Sequence, residues 1–128
     1  MVQEKVFPIT YETTVNLSTE NIDDIMVTAL EGGINYWCSK AEVVGEYLGE
    51  YASDQISHGG VLILHDAESD DTWTLTRDNL LQGLRMWLTN GMDIDHGVYE
   101  GMLDTSVIDA CAADCIIQYA LFGKLVFA

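Results

Sequence analysis

Apolar and polar positions alternate near the start of the chain, with Phe7, Ile9, Tyr11, Thr13, Val15 and Leu17 set against Thr10, Glu12, Thr14 and Asn16. That period of two predicts a half-buried strand. Pro8 lacks a backbone N–H, so the strand is expected at a sheet edge. From Ser18 the period lengthens, and Ile22, Ile25, Met26, Ala29 and Leu30 recur at three and four, the stripe of an amphipathic helix. Ser18 is its expected N-cap and Gly32-Gly33 its expected left-handed stop. Glu20, Asp23 and Asp24 fall in the first turns, where the helix dipole favours negative charge.

Residues 34–58 carry competing signals. Ser39-x-x-Glu42 reads as a capping box, whereas Tyr36-Trp37-Cys38 and Val43-Val44 read as strand. Gly45 and Gly49 would each cost about 1 kcal/mol inside a helix. The favoured reading is therefore a strand over 34–44, an irregular turn, and a short helix near 51–57. Gly59-Gly60 then opens the apolar run Val61-Leu62-Ile63-Leu64-His65, which the polar segment Asp66 to Asp71 separates from Thr72-Trp73-Thr74-Leu75. This is the pattern of a hairpin with an acidic loop.

Thr76 is the expected cap of a helix whose face is Leu80, Leu81, Leu84, Trp87 and Leu88, ending at Asn90-Gly91. A polar, Gly-containing segment runs from Met92 to Asp104. A further helix follows over 109–122, apolar nearly all round and so expected to be the central buried one. Gly123 stops it, and Leu125-Val126-Phe127 predict a last short strand. No repeat, low-complexity segment or linker interrupts the pattern. It describes one α+β domain over residues 1–128, a mostly antiparallel sheet packed with two main helices and one short helix.

Charge changes this picture most. Five Lys+Arg against 21 Asp+Glu leave a formal net charge of −16 on a chain that is 48% hydrophobic and therefore able to fold. Free nucleic acid and anionic membranes are expected to be repelled. The acids are also unevenly placed. Eight of them (Glu42, Glu46, Glu50, Asp54, Asp66, Glu68, Asp70, Asp71) lie between Ala41 and Thr76 with no Lys or Arg, and six lie in a second basic-free stretch from Met86 to Gly123. Carboxylates without cations repel one another, and their retention is easier to explain if a positive surface neutralises them. The bland explanation is solubility, or adaptation to high salt. Tyr36, Trp37, Tyr47 and Tyr51 interleave with the first group, and aromatic anchors inside a charged rim are the composition of a protein interface. The expected partner-binding residues are thus Glu46, Tyr47, Glu50, Tyr51, Asp54, Asp66, Glu68, Asp70 and Asp71.

Other chemistry is weaker. Cys111 and Cys115 share a helix face and could ligate zinc with Cys38 or a histidine, but no Cys-x-x-Cys or His-x3-His pair completes a site, so buried apolar thiols are the simpler reading. Asp93, Asp95 and His96 could hold a divalent cation, although acidic clusters in loops are usually just solvated. His65-Asp66 could form an oriented general base only if both side chains met, and neighbours on a strand point to opposite faces. No nucleophile elbow, phosphate loop or dinucleotide fingerprint is present. Neither a catalytic residue nor a cofactor is expected. The start of the chain lacks a secretory pattern, no apolar run approaches membrane-spanning length, and three cysteines are an odd number, so reduced thiols in a cytoplasm are expected. Oligomeric state stays open.

Gly33-Ile34-Asn35-Tyr36-Trp37-Cys38, the run from Glu46 to Ser57, Ile108-Asp109-Ala110 and Gln118-Tyr119-Ala120-Leu121-Phe122-Gly123 resemble small acidic proteins of phages and mobile elements of low-GC Gram-positive bacteria. The likeness spans most of the chain. Anti-CRISPR proteins occur in that group. The resemblance implies a counter-defence inhibitor that offers a basic nucleic-acid channel, in a type II CRISPR nuclease, a surface of carboxylates and aromatics. It implies no catalytic residues. An acidic interaction module of unrelated role is the alternative, followed by a small metal-dependent enzyme.

Overall fold

A computed structural model describes residues 5–9, 14–90, 98–99 and 101–128. Helix α1 (Thr19–Thr28) starts where a reciprocal cap forms: Asn21 N donates to Ser18 Oγ at 3.1 Å and Ser18 N donates to Asn21 Oδ1 at 3.0 Å. Its stripe buries Ile22, Ile25 and Met26. The helix does not stop on a left-handed glycine. It widens into one π turn, Ala29–Gly33, and neither Gly32 nor Gly33 has positive φ. Gly33 is required for another reason: a Cβ there would lie 2.8 Å from the Ala110 carbonyl oxygen, where the last helix begins.

Residues 34–37 turn instead of extending, because Trp37 N and Cys38 N both donate to the Ile34 carbonyl, at 3.1 and 2.8 Å. The expected strand over 34–44 is thereby shortened to β1 (Cys38–Val43). It pairs with β2 (Leu62–Asp66), and β2 with β3 (Thr72–Leu75), in an antiparallel sheet ordered β1-β2-β3. Ser39 and Glu42 lie in the strand, so the capping-box alternative does not form. In place of a short helix near 51–57 there is a 3-10 turn at Ala52–Asp54 and further turns to Gly59.

Helix α2 (Arg77–Asn90) begins with the same device as α1, Asn79 N donating to Thr76 Oγ1 and Thr76 N to Asn79 Oδ1 at 3.3 and 2.6 Å. It presses onto α3 (Ala110–Phe122) at Gly83, where a Cβ would sit 2.4 Å from the Ile116 carbonyl oxygen. Asp109 caps α3 through Ala112 N at 2.8 Å, and Gly123, at φ +69°, ends it left-handed. Helix α3 is central but not apolar all round: Cys111 is exposed, while Asp114 and Gln118 are buried beside Ala113, Ile116 and Ile117.

The expected strand over 7–17 is not formed in its described parts. Phe7 and Ile9 are largely exposed, and Asn16 makes one isolated parallel bridge to Met102, with residues 10–13 outside the described residues. Met102 belongs to a two-residue ladder, β4 (Val98–Tyr99) with β5 (Met102–Leu103). The last short strand is also absent. Among the described residues, 125–127 have no strand neighbour, and the side chain of Gln118 takes that role, its Oε1 accepting from Val126 N and Phe127 N at 2.7 and 2.8 Å and its Nε2 donating to the Phe127 carbonyl at 3.2 Å. The architecture is α+β, three helices with a three-stranded antiparallel sheet around one core that includes Ile25, Met26, Ile56, Leu62, Leu64, Leu75, Leu84 and Ile116. Among the described residues no helix is long and apolar enough to cross a membrane.

Candidate partner-binding surface

The 44–60 connection between β1 and β2 is a built loop. Its centre is Gln55, only 1% exposed. The Gln55 amide accepts from Leu48 N at 2.7 Å and donates to the Tyr51 carbonyl at 2.8 Å, and its backbone carbonyl accepts from Gly60 N at 2.7 Å. Asp54 adds a second clamp, its Oδ2 accepting from Glu50 N and Tyr51 N, both at 3.1 Å. That fold-back needs Gly49, because a Cβ there would lie 2.6 Å from the Asp54 Cβ. Ser57 ties the loop to α1 by donating to Asp23 Oδ1 at 2.6 Å, and Arg77 reaches back to the Ser57 carbonyl at 3.1 Å. Held by these bonds, the loop exposes Glu46 and Glu50 together with Tyr47 (59% exposed), Leu48 (51%) and Tyr51 (61%).

The 66–71 loop is the tight end of the β2–β3 hairpin. Asp66 N donates to the Asp71 carbonyl at 2.9 Å, Ser69 Oγ donates to Asp66 Oδ2, and Asp71 N donates to Ser69 Oγ at 3.1 Å. Glu68, Asp70 and Asp71 are exposed, and Asp66 is half-buried. The strand register separates the two acidic groups: Val43 pairs with Leu62 at one end of β2 and Cys38 with Asp66 at the other. Four steps of about 3.3 Å put the loops on opposite ends of the sheet, roughly 13 Å apart along β2. The nine expected binding residues thus form two surfaces, not one. Asp54 and Asp66 hold their own loops together, which leaves Glu46, Glu50, Glu68, Asp70 and Asp71 as the free carboxylates of the set.

Cations do little to offset them. Among the described residues the one contact of salt-bridge distance is between His65 Nε2 and Glu42 Oε1, at 2.9 Å across the β1–β2 ladder. Hydrogen bonding from His65, then the charge of Lys40, holds the Glu42 carboxyl below its usual range. Since His65 faces Glu42 and Asp66 faces Ser69, the two neighbours do not form a base pair of catalytic geometry.

A buried polar cluster was missed in the sequence. Asp114, 9% exposed on α3, accepts from Tyr36 Oη at 2.5 Å, Trp37 Nε1 at 2.7 Å and Gln118 Nε2 at 2.9 Å. Two adjacent residues reach one carboxylate only because 36–37 lie in a turn; on the expected strand they would have faced apart. Burial first, then the hydrogen bond to Asp114, pushes the Tyr36 phenol up to about 12. The signal available in the sequence was the pair Asp114 and Gln118, four apart in an otherwise apolar helix. The cluster satisfies every buried polar atom it contains, so its evident work is structural.

The thiols are dispersed. Cys38 is buried at the start of β1 and Cys111 and Cys115 lie on α3, where burial, then the charge of Asp114, pushes the Cys115 thiol up. Among the described residues no three His, Cys, Asp or Glu side chains converge on a point that could hold a metal ion, and Asp93, Asp95 and His96 lie outside the described residues. No protein-family model, curated protein or solved structure matches this chain significantly.

Proposed function

We propose that this chain is a non-catalytic binding protein that offers its carboxylate surface to a basic protein surface, and that the partner is the nucleic-acid channel of a type II CRISPR nuclease in a bacterial cytoplasm. One observation carries the binding reading. The free acids at both ends of the sheet have no Lys or Arg partner among the described residues, on a chain of net charge −16. Exposed carboxylates left in this state raise the electrostatic energy of the free protein, and a positive surface relieves it on contact. A channel shaped for duplex phosphates is such a surface. The choice of a CRISPR nuclease rests on the resemblance to phage and mobile-element proteins. The acid-bearing loops are ordered by Gln55, Asp54 and Ser69, which lowers the entropic cost of docking.

The test is inhibition of target-DNA cleavage by a type II CRISPR nuclease, with binding measured at two salt concentrations. Glu68→Gln, Asp70→Asn and Asp71→Asn form one replacement set, and Glu46→Gln with Glu50→Gln the other. Each is expected to leave the melting temperature within a few degrees of the original while weakening inhibition and flattening its salt dependence. Folded variants of both sets that inhibit like the original would leave the acidity as a solubilising feature.

A further inference from the structure

The 44–51 segment is unusual in what it exposes, because Val44, Tyr47, Leu48 and Tyr51 are each more than half open to solvent within eight residues of chain. Single exposed apolar side chains are ordinary, but a run of four on an ordered loop marks a contact surface. The order is specific: Val44 N extends the sheet by donating to the Val61 carbonyl at 3.1 Å, and the buried Gln55 fixes Leu48 and Tyr51 from below. Glu46 and Glu50, both exposed, alternate with these residues along the loop, and the stretch between Ala41 and Thr76 contains no Lys or Arg. Aromatic faces ringed by carboxylates suit one cation better than the other. A guanidinium is planar, weakly hydrated, stacks on an aromatic ring and can bridge to a carboxylate with its remaining N–H donors, whereas an ammonium keeps its water.

We propose that Val44, Tyr47, Leu48 and Tyr51 form the docking centre for an arginine-bearing segment of the partner protein, with Tyr47 and Tyr51 stacking on guanidinium groups and Glu46 and Glu50 pairing with them. This rests on the reading of the chain as a binder of basic surfaces and names the side chain it selects.

The experiment uses the full chain and two synthetic peptides of equal length and charge, one alternating Arg with Ser and one Lys with Ser, titrated by calorimetry at low and raised salt. The Arg peptide is expected to bind about five-fold tighter than the Lys peptide, the worth of two exposed cation–aromatic contacts. Tyr47→Leu with Tyr51→Leu keeps the apolar bulk and is expected to abolish that preference while leaving salt-dependent binding of both peptides. Tyr47→Phe with Tyr51→Phe retains the rings and the preference. Glu46→Gln with Glu50→Gln is expected to weaken both peptides and preserve their ratio. Equal binding of the two peptides by the original protein, or an unchanged preference in the Leu variant, overturns the arginine assignment alone. Peptide binding that ignores the Glu replacements, or no binding of either peptide, overturns the acidic-surface reading as well.

Discussion

The C-terminal segment offers a sharp test of how this fold is held, because residues 124–128 and one side chain of α3 are two halves of a single interaction. Phe127 stacks on Trp37 with centroids 4.9 Å apart and planes 5° from parallel, and meets Phe122 and Trp73 edge-on at 5.9 and 6.0 Å. Gln118 makes three hydrogen bonds to Val126 and Phe127 and a fourth to Asp114. Removing residues 124–128 uncovers Trp37 and deletes a half-buried Phe, a loss of about 3 kcal/mol. Gln118→Leu keeps the bulk but strips those bonds and one donor from a buried carboxylate, about 2–3 kcal/mol. Near the midpoint of a chain this size, 1 kcal/mol moves Tm by roughly 4 °C. Each change alone should therefore lower it by about 8–12 °C. Because both delete the same three bonds, the combined variant should be less destabilised than the sum by at least about 1.5 kcal/mol. Urea melts of the four proteins measure this coupling. Additivity within about 0.5 kcal/mol would show that Gln118 does not hold the tail.

Two further outcomes follow from the packing. Gly83→Ala should lower Tm by roughly 8 °C although alanine favours helix by about 1 kcal/mol, since its Cβ would overlap the Ile116 carbonyl and the Ala120 backbone; an equal or higher Tm would contradict the close α2–α3 approach. Tyr36 should ionise near pH 12, about two units above a free phenol, as read by phenolate absorbance against the Tyr36→Phe variant. Its folded pKa is raised, so its contribution is full below pH 10 and declines as pH rises through about 12. Because Tyr36 is half exposed, solvent screening limits that contribution to about 1 kcal/mol. A Tyr36 titration near pH 10 would remove Asp114 from its environment.

Much of the fold was legible where local chemistry decides it. Ser18 and Thr76 cap their helices as expected, the acidic hairpin turns between Asp66 and Asp71, and Gly123 stops α3. What the sequence concealed is tertiary. Leu125-Val126-Phe127 has strand composition, but its hydrogen-bond partner is a side chain from α3. Gly33 reads as a left-handed stop, yet it is small because α3 starts against it. Tyr36-Trp37 has strand propensity, and two bonds to the Ile34 carbonyl override it. For the expected binding surface, composition named candidate acids and tyrosines. It could not show that β2 holds the two groups apart, or that Asp54 and Asp66 are occupied in shaping their own loops.

The central claim is that the carboxylate surface occupies the place of nucleic-acid phosphates. The most direct measurement is calorimetric titration of this protein into a type II CRISPR nuclease in two states, with its nucleic-acid channel empty and with that channel filled by guide RNA and target DNA. Occupation of the same positive surface predicts binding to the open channel that weakens steeply with salt and falls at least about ten-fold when the channel is filled. Equal affinity for the two states, or binding indifferent to salt, would contradict it.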